Sequence, residues 1–366
     1  MMPYLYQNPE NPIDCRVATA LGIQGMSPCL QAILTRLGGT TPSGFRTTTG
    51  RAIGLVKQRA ELRKNTMIPP RPHPYDAILR SAARRPELWR IAVQILAALA
   101  LGALVTPVLY GLIGRMAPAL MPVHFGPSGI VIGATPGGMF VLLAGYAVLL
   151  VGSVVLARRL HNRSLREITG PANVMRRQFF ATLKWVALLS FVAMLLPWDS
   201  TDSALSENLN LGMWLFWMPF ALLGLMIQIT AEEVFFRGYL QSQLIASTKS
   251  YTLGVLAASV LFGLGHLSGA VEGTAAIFPV VWAMLFGLLA GDLTARSGTI
   301  GPACALHLMN NATAMVIAPQ QDIMSGFGRM VQTLDLTDAY SDPKVIAFQT
   351  LLLLATWLTA RLAIRR

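Results

Sequence analysis

The sequence predicts an all-α, polytopic integral membrane protein with about eight transmembrane helices, on three observations. Of its 366 residues, 54% are hydrophobic and 13% charged, with a mean hydropathy of +0.53. A soluble domain carries about 25% charged residues. Apolar runs recur at close to the ~20 residues that a helix needs to cross the hydrocarbon core. Basic residues gather between these runs: thirteen of the 29 Lys and Arg fall in the first 90 positions, and seven more lie from Arg158 to Lys184. Such clustering is a positive-inside signature. It points to anionic lipid rather than nucleic acid as the partner behind the net charge of +12.

Residues 1–88 are basic and punctuated by Pro, Gly and Thr, and they end in the run from Ile68 to Pro74. They read as a disordered cytoplasmic tail. No apolar h-region follows the start as it would in a signal peptide, and Met67 is a second candidate start. Cys15, Cys29 and Cys304 are odd in number and lack metal-type spacing, so no disulfide framework is expected.

Residues 89–366 form the expected transmembrane domain, with spans at roughly 90–113, 136–157, 179–197, 211–230, 251–268, 275–291, 299–318 and 345–364. Pro107, Pro219 and Pro279 interrupt individual runs, which membrane helices tolerate as kinks. With the N-terminus inside, inner loops hold the Arg158–Lys184 cluster, Lys249, Arg296, Arg361, Arg365 and Arg366. Outer loops hold Arg115, Arg329 and Lys344 beside acids such as Asp199, Glu207 and Asp342. Eight helices with both ends cytoplasmic satisfy the rule throughout.

Three polar signals sit inside apolar spans. The first is Glu232-Glu233-x-x-x-Arg237, within a stretch from Gln228 to Gln241. An ionisable group in a span costs about 2.5–3.5 kcal/mol on insertion scales and faces a polar interior or a reaction site. On a helix Glu233 and Arg237 are one turn apart and can pair, whereas Glu232 points about 100° away. One carboxylate is thus partnered locally and the other is left to be used. The second signal is Phe262-Gly-Leu-Gly-His266, whose glycines remove bulk beside the imidazole. The third is His307-Leu-Met-Asn-Asn311, on a helix that opens after Gly301-Pro302. His307 and Asn311 share one face. Gly287-x-x-x-Gly291 offers a small-residue face for close helix packing.

Packed together, Glu232, His266, His307 and Asn311 suit two chemistries. In one, Glu232 is the general base on a water that His266 positions, and His307 and Asn311 stabilise the oxyanion formed on an amide carbonyl. In the other, Glu232, His266 and His307 ligate zinc and leave a position open for water. There is no HExxH segment, which favours the metal-free form. A proton- or ion-coupled transporter is the rival class. Its usual internal repeat is missing, since the EExxxR region has no second copy. A non-catalytic immunity scaffold is a third reading.

The order EExxxR, FxxxH, HxxxN in membrane helices resembles the CAAX protease and bacteriocin-processing (CPBP, or Abi) family of intramembrane proteases. Phe286-Gly-Leu-Leu-Ala-Gly291, leading through Ser297-Gly-Thr-Ile-Gly-Pro302 to His307, is similar to that family's signature region, and the resemblance covers about 179–318. It implies an endopeptidase with Glu232 as base, His266 positioning water, and His307 with Asn311 as oxyanion hole. Glu233, Arg237 and Phe262 would support them. It also implies membrane-associated peptide or protein substrates and, for a bacterial relative, the inner membrane.

One geometric problem follows. A helix starting at Tyr251 carries His266 about 22 Å along its axis, deeper than His307 on its own helix. The polar residues Gln241, Ser242, Gln243, Ser247, Thr248, Lys249 and Ser250 therefore lead us to expect residues 238–256 partly at the membrane interface.

Overall fold

A computed structural model describes residues 73–126, 129–195, 205–267, 273–317, 319–333 and 336–365. Residues 1–72, most of the expected tail, lie outside the described residues. Residues 73–88, expected in the same tail, are built into the helical body. Helix α1 (Asp76–Ala82) buries Ile78 and Ala82, and Tyr75 just before it is also buried.

Helix α2 (Leu88–Met116) is the first long apolar helix. An antiparallel hairpin of β1 (Val123–Gly126) and β2 (Gly129–Ile132) pairs Val123 with Ile132. Helices α3 (Pro136–Ala144) and α4 (Ala147–His161) then form one span with a bend at Gly145-Tyr146. Pro136 opens α3 at its first turn and the Thr135 side chain accepts from the Gly138 amide, the two devices that suit a helix start. Helix α4 stops at Asn162, which takes the left-handed conformation (φ 53°).

Helix α5 (Leu165–Thr169) carries a Ser164/Glu167 capping box, and α6 (Ala172–Met194) follows. After β3 (Leu205–Glu207), α7 (Leu211–Glu233) passes without a break into a π-helical segment, Val234–Gln241, and then α8 (Ser242–Thr248). A left-handed Lys249 ends α8, and the Ser250 side chain caps α9 (Tyr251–Leu264). Helix α10 (Ile277–Ser297) ends at Gly298, whose φ of 73° favours glycine. Helix α11 (Gly301–Ala312) runs into a second π segment, Thr313–Ile317. Strand β4 (Met330–Gln332) pairs antiparallel with β3, and α12 (Leu336–Ser341) and α13 (Pro343–Ala363) close the chain.

Every one of the eight expected runs is helical, and the all-α membrane fold stands. The number of spans is less even than expected. Among the described residues, five helices are long and apolar enough to cross a membrane: Leu88–Met116, Pro136–His161, Leu211–Thr248, Ile277–Ser297 and Pro343–Ala363. Helix α9 has only 14 residues and α11 only 12, while α6 carries Arg176, Arg177 and Lys184. Large apolar side chains on the long helices face outward, such as Leu104 (69% exposed) on α2 and Leu362 (77%) on α13. That is the pattern of surfaces solvated by lipid rather than water.

Close helix approach depends on glycine. A Cβ on Gly287 would stand 3.0 Å from Ser259, and one on Gly263 would strike the Met284 side chain, so α9 and α10 pack nearly backbone to backbone. The small face expected at Gly287 and Gly291 is used in this way.

Of the residues expected at the interface, Gln241, Ser242 and Gln243 are buried within the protein, whereas Thr248 and Lys249 are exposed. Gln241, Ser242 and Gln243 continue the α7 helix, and each is at most 1% exposed. Their polar groups are satisfied by the N-terminal segment and by Arg163. Gln243 Nε2 donates to the carbonyls of Ala82 (3.1 Å) and Arg85 (2.6 Å), and Gln241 Nε2 to that of Gly291 (3.2 Å). Arg163 donates to Ser81 Oγ, Ser242 Oγ and Gln243 Oε1 at 3.0–3.1 Å. A buried polar belt therefore ties residues 75–85 to α8, which is why the segment is not a tail. Replacing Arg163 by Met strands three buried acceptors, and we expect a loss of about 3 kcal/mol of stability. A lowered melting temperature of the purified protein in detergent checks this.

Candidate active site

The polar residues of α7 and α11 meet between buried aromatic rings. Glu233, the last residue of α7, is fully buried and reaches two partners: His307 Nδ1 at 2.8 Å and Arg237 Nη1 at 3.2 Å, both through Oε1. The local pair expected one helical turn apart is present, but the carboxylate does more than brace its own helix. It also fixes a ring on a different one. Because a carboxylate accepts, its hydrogen bond assigns the proton to Nδ1 of His307.

On the opposite edge of the same ring, Nε2 of His307 lies 3.5 Å from Glu232 Oε2. That oxygen is buried without a hydrogen-bond partner. The two neighbouring carboxylates therefore flank one imidazole from its two nitrogens, one tightly and one loosely. Oε2 of Glu233 is likewise buried without a hydrogen-bond partner, so the two carboxylates differ in how closely they approach the imidazole.

One turn past His307, the Asn311 side chain donates through Nδ2 to Gln228 Oε1 at 2.8 Å, and Asn310 Nδ2 donates to Asn311 Oδ1 at 3.2 Å. Gln228 was not singled out as a site residue, though it lies one turn before Glu232 on the same helix face and is the first polar group in that stretch. Tyr146, at the α3–α4 bend, lies near enough to the Glu232 carboxylate to feel its charge. A single tyrosine in an apolar run carries no spacing signal, so only the fold exposes it.

Phe262 is the ring around which these groups are arranged. The Arg237 guanidinium lies 4.0 Å over its face, and the rings of Phe236, His266 and Phe286 stand at 5.0, 4.7 and 5.9 Å. His307 is 4.8 Å from Phe286 and 6.1 Å from Phe262. A desolvated guanidinium over aromatic faces gains about 2 kcal/mol from the ring quadrupole. Phe262 thus packs against both Arg237 and His266.

His266 is not gathered with the others. It sits just beyond the C-terminus of α9, exposed, with Nδ1 held by the Phe262 carbonyl at 2.9 Å. Its ring packs on Phe262, and among the described residues no ion pair or hydrogen bond joins it to Glu232. The reason is the early start of α9 at Tyr251, which carries His266 to the far end of that helix.

Of the alternative zinc set, Glu232 Oε2 and His307 Nε2 stand 3.5 Å apart, and His266 is exposed just past the end of α9. Among the described residues, no three His, Cys, Asp or Glu side chains are placed to hold a metal.

Both motif helices switch to π-helical winding directly after their polar residues, at Val234 and at Thr313. Such segments recur at functional sites because the wider turn re-aims side chains. In the first, Gly238 is required, since a Cβ there would press 2.5 Å from Ile168. Removing Arg237 would leave Glu233 charged and buried, which costs about 3–5 kcal/mol. We expect Arg237→Ala to lower the melting temperature sharply. Arg237→Lys should restore little of it, because an ammonium cannot lie flat over Phe262.

Comparison with known sequences agrees with this geometry. Residues 214–313 match the family described as type II CAAX prenyl endopeptidase Rce1-like. An uncharacterized protein of Bacillus subtilis (strain 168), YyaK, is 25% identical over 184 residues, covering 50% of this chain and 62% of that relative. The chain thus spans less than two thirds of the relative's length. No solved structure matches. The matched residues 214–313 hold Glu232, Glu233, Arg237, His266, His307 and Asn311, the positions on which the sequence resembles the CPBP intramembrane proteases.

Proposed function

We propose that this protein is an intramembrane endopeptidase that hydrolyses peptide bonds of membrane-associated substrates, of the CAAX or bacteriocin-peptide type, through water activated by Glu232. The observation that carries the reading is the buried imidazole of His307 between two carboxylates, with Glu232 Oε2 left unpartnered. An ionisable group buried in a span is costly, and a second carboxylate beside the Glu233–Arg237 pair supports a reaction site.

In the proposed mechanism, Glu232 takes a proton from water as the oxygen attacks the carbonyl carbon, and returns it to the leaving amine. His307, held through Nδ1 by Glu233, presents Nε2 to the reacting groups. Protonated, it donates to the oxyanion together with the second Nδ2 hydrogen of Asn311, the first being engaged by Gln228. His266 acts from the mouth of the site. Because its Nδ1 donates to the Phe262 carbonyl, Nε2 is the atom that accepts from water. The chemistry needs no metal in this form. The substrate enters from the cytoplasmic side, where the basic loops meet anionic lipid, with both termini on that side of a bacterial inner membrane.

The test compares purified wild type with Glu232→Gln, His307→Ala, His266→Ala and Glu233→Gln on membrane-tethered reporter peptides, with and without farnesyl, and with and without chelator. Glu232→Gln and His307→Ala should each lower kcat by about 10³-fold or more, the loss of a base or of an oxyanion donor. His266→Ala should cost about 10²-fold. Wild-type cleavage should survive the chelator. Cleavage that persists in Glu232→Gln would sink the glutamate mechanism, and loss with chelator restored by zinc would move the same residues into a ligand role.

A further inference from the structure

Helices α7 and α11 are joined by two polar rungs. The Glu233–His307 hydrogen bond is one, and the Asn311–Gln228 bond is the other, each at 2.8 Å. Gln228 precedes Glu232 by one turn, while Asn311 follows His307 by one turn, so the two helices run antiparallel and the rungs lie about one turn apart. Gln228 and Asn311 are only 5% and 6% exposed, and their sequence neighbours Leu225, Ile229 and Leu308 pack in one apolar cluster. In such a setting a polar side chain finds its partner within the protein.

The Gln228 rung carries direction as well as contact. Asn310 Nδ2 donates to Asn311 Oδ1 at 3.2 Å, and Asn311 Nδ2 in turn donates to Gln228 Oε1. An Asn side chain ends in a broad, roughly two-fold torsion, so without such neighbours the amide is free to turn and exchange Oδ1 for Nδ2. An oxygen turned toward a developing oxyanion repels it, whereas a fixed N–H donor stabilises it. A clamp between helices needs one bond in either sense, but here both ends of the Asn311 amide are assigned. We propose that Gln228 is the positioning residue for Asn311. Its Oε1 takes one Nδ2 hydrogen, holds the amide in that sense and leaves the second hydrogen for the oxyanion. The helix that carries the base thereby also orients the oxyanion donor. This inference rests on the endopeptidase reading, with Asn311 as that donor.

The decisive variant is Gln228→Leu, which keeps most of the side-chain bulk and removes the acceptor. On membrane-tethered reporter peptides in proteoliposomes, we expect kcat to fall about 10- to 100-fold with KM within about twofold. Asn311→Ala should lower kcat at least as far, and adding Gln228→Leu to it should cost less than about twofold more. Gln94→Leu is the control. It removes another buried interhelical amide, which joins α2 to the Ser153 carbonyl of α4 at 3.2 Å, and should leave both constants unchanged. Four results would each overturn the assignment: unchanged kcat in Gln228→Leu, a change in KM alone, the full loss repeated in the Asn311→Ala background, or an equal loss in Gln94→Leu. An active wild type keeps the endopeptidase reading in place through all four. If Gln228→Leu does not fold, Gln228→Met, unbranched and of similar length, carries the same comparison. If the wild type cleaves neither farnesylated nor unprenylated peptide, the endopeptidase reading falls and the positioning role falls with it.

Discussion

The buried carboxylate of Glu233 is the constraint on which the rest of the site depends. An isolated charge there would cost several kcal/mol, so it must be paired and hydrogen-bonded. Arg237 supplies the opposite charge from the same helix and His307 supplies the hydrogen bond from another. One group therefore joins α7 to α11 and fixes the proton and ring plane of the imidazole. Arg237 is as buried as its partner, and its remaining faces are covered by Phe262, Phe286 and Phe236 rather than by acceptors. The aromatic cage is what makes a dry guanidinium tolerable.

Glycine sets the distances at which these helices meet. Gly263 and Gly287 let α9 lie on α10, which brings Phe262 and Phe286 side by side beneath the guanidinium. Gly301 lets the start of α11 rest on the Met175 carbonyl of α6, and Gly238 lets the π segment pass Ile168. In lipid, where apolar surfaces gain nothing from leaving water, such close contact is the main source of helix association. A site built of short polar side chains needs helices this near one another.

At the other end of the α7–α8 helix, polarity serves structure alone. Gln243 binds the Ala82 and Arg85 carbonyls, Gln241 the Tyr75 hydroxyl and the Gly291 carbonyl, and Arg163 binds Ser81, Ser242, Gln243 and the Glu167 carbonyl. The same helix thus carries two buried polar clusters. One is saturated with backbone acceptors, and the other keeps a carboxylate oxygen open. That open group is what separates a site from a strut.

Much of this was legible from residues alone. Long apolar runs determined an all-α membrane fold, because a backbone in lipid must satisfy its own hydrogen bonds. The i, i+4 spacings determined that Glu233 pairs with Arg237 and that His307 and Asn311 share a face, because helix geometry is local. Eight spans were expected from the runs; among the described residues five helices are long and apolar enough to cross, and α9 and α11 are short. Tertiary structure decided what spacing cannot carry: that Glu233 crosses to His307, that Gln228 holds Asn311, and that His266 packs on Phe262 past the end of α9. It also buried Gln241, Ser242 and Gln243 in a polar belt. These outcomes depend on which helices approach and how closely, and that is set by contacts between residues distant in the chain.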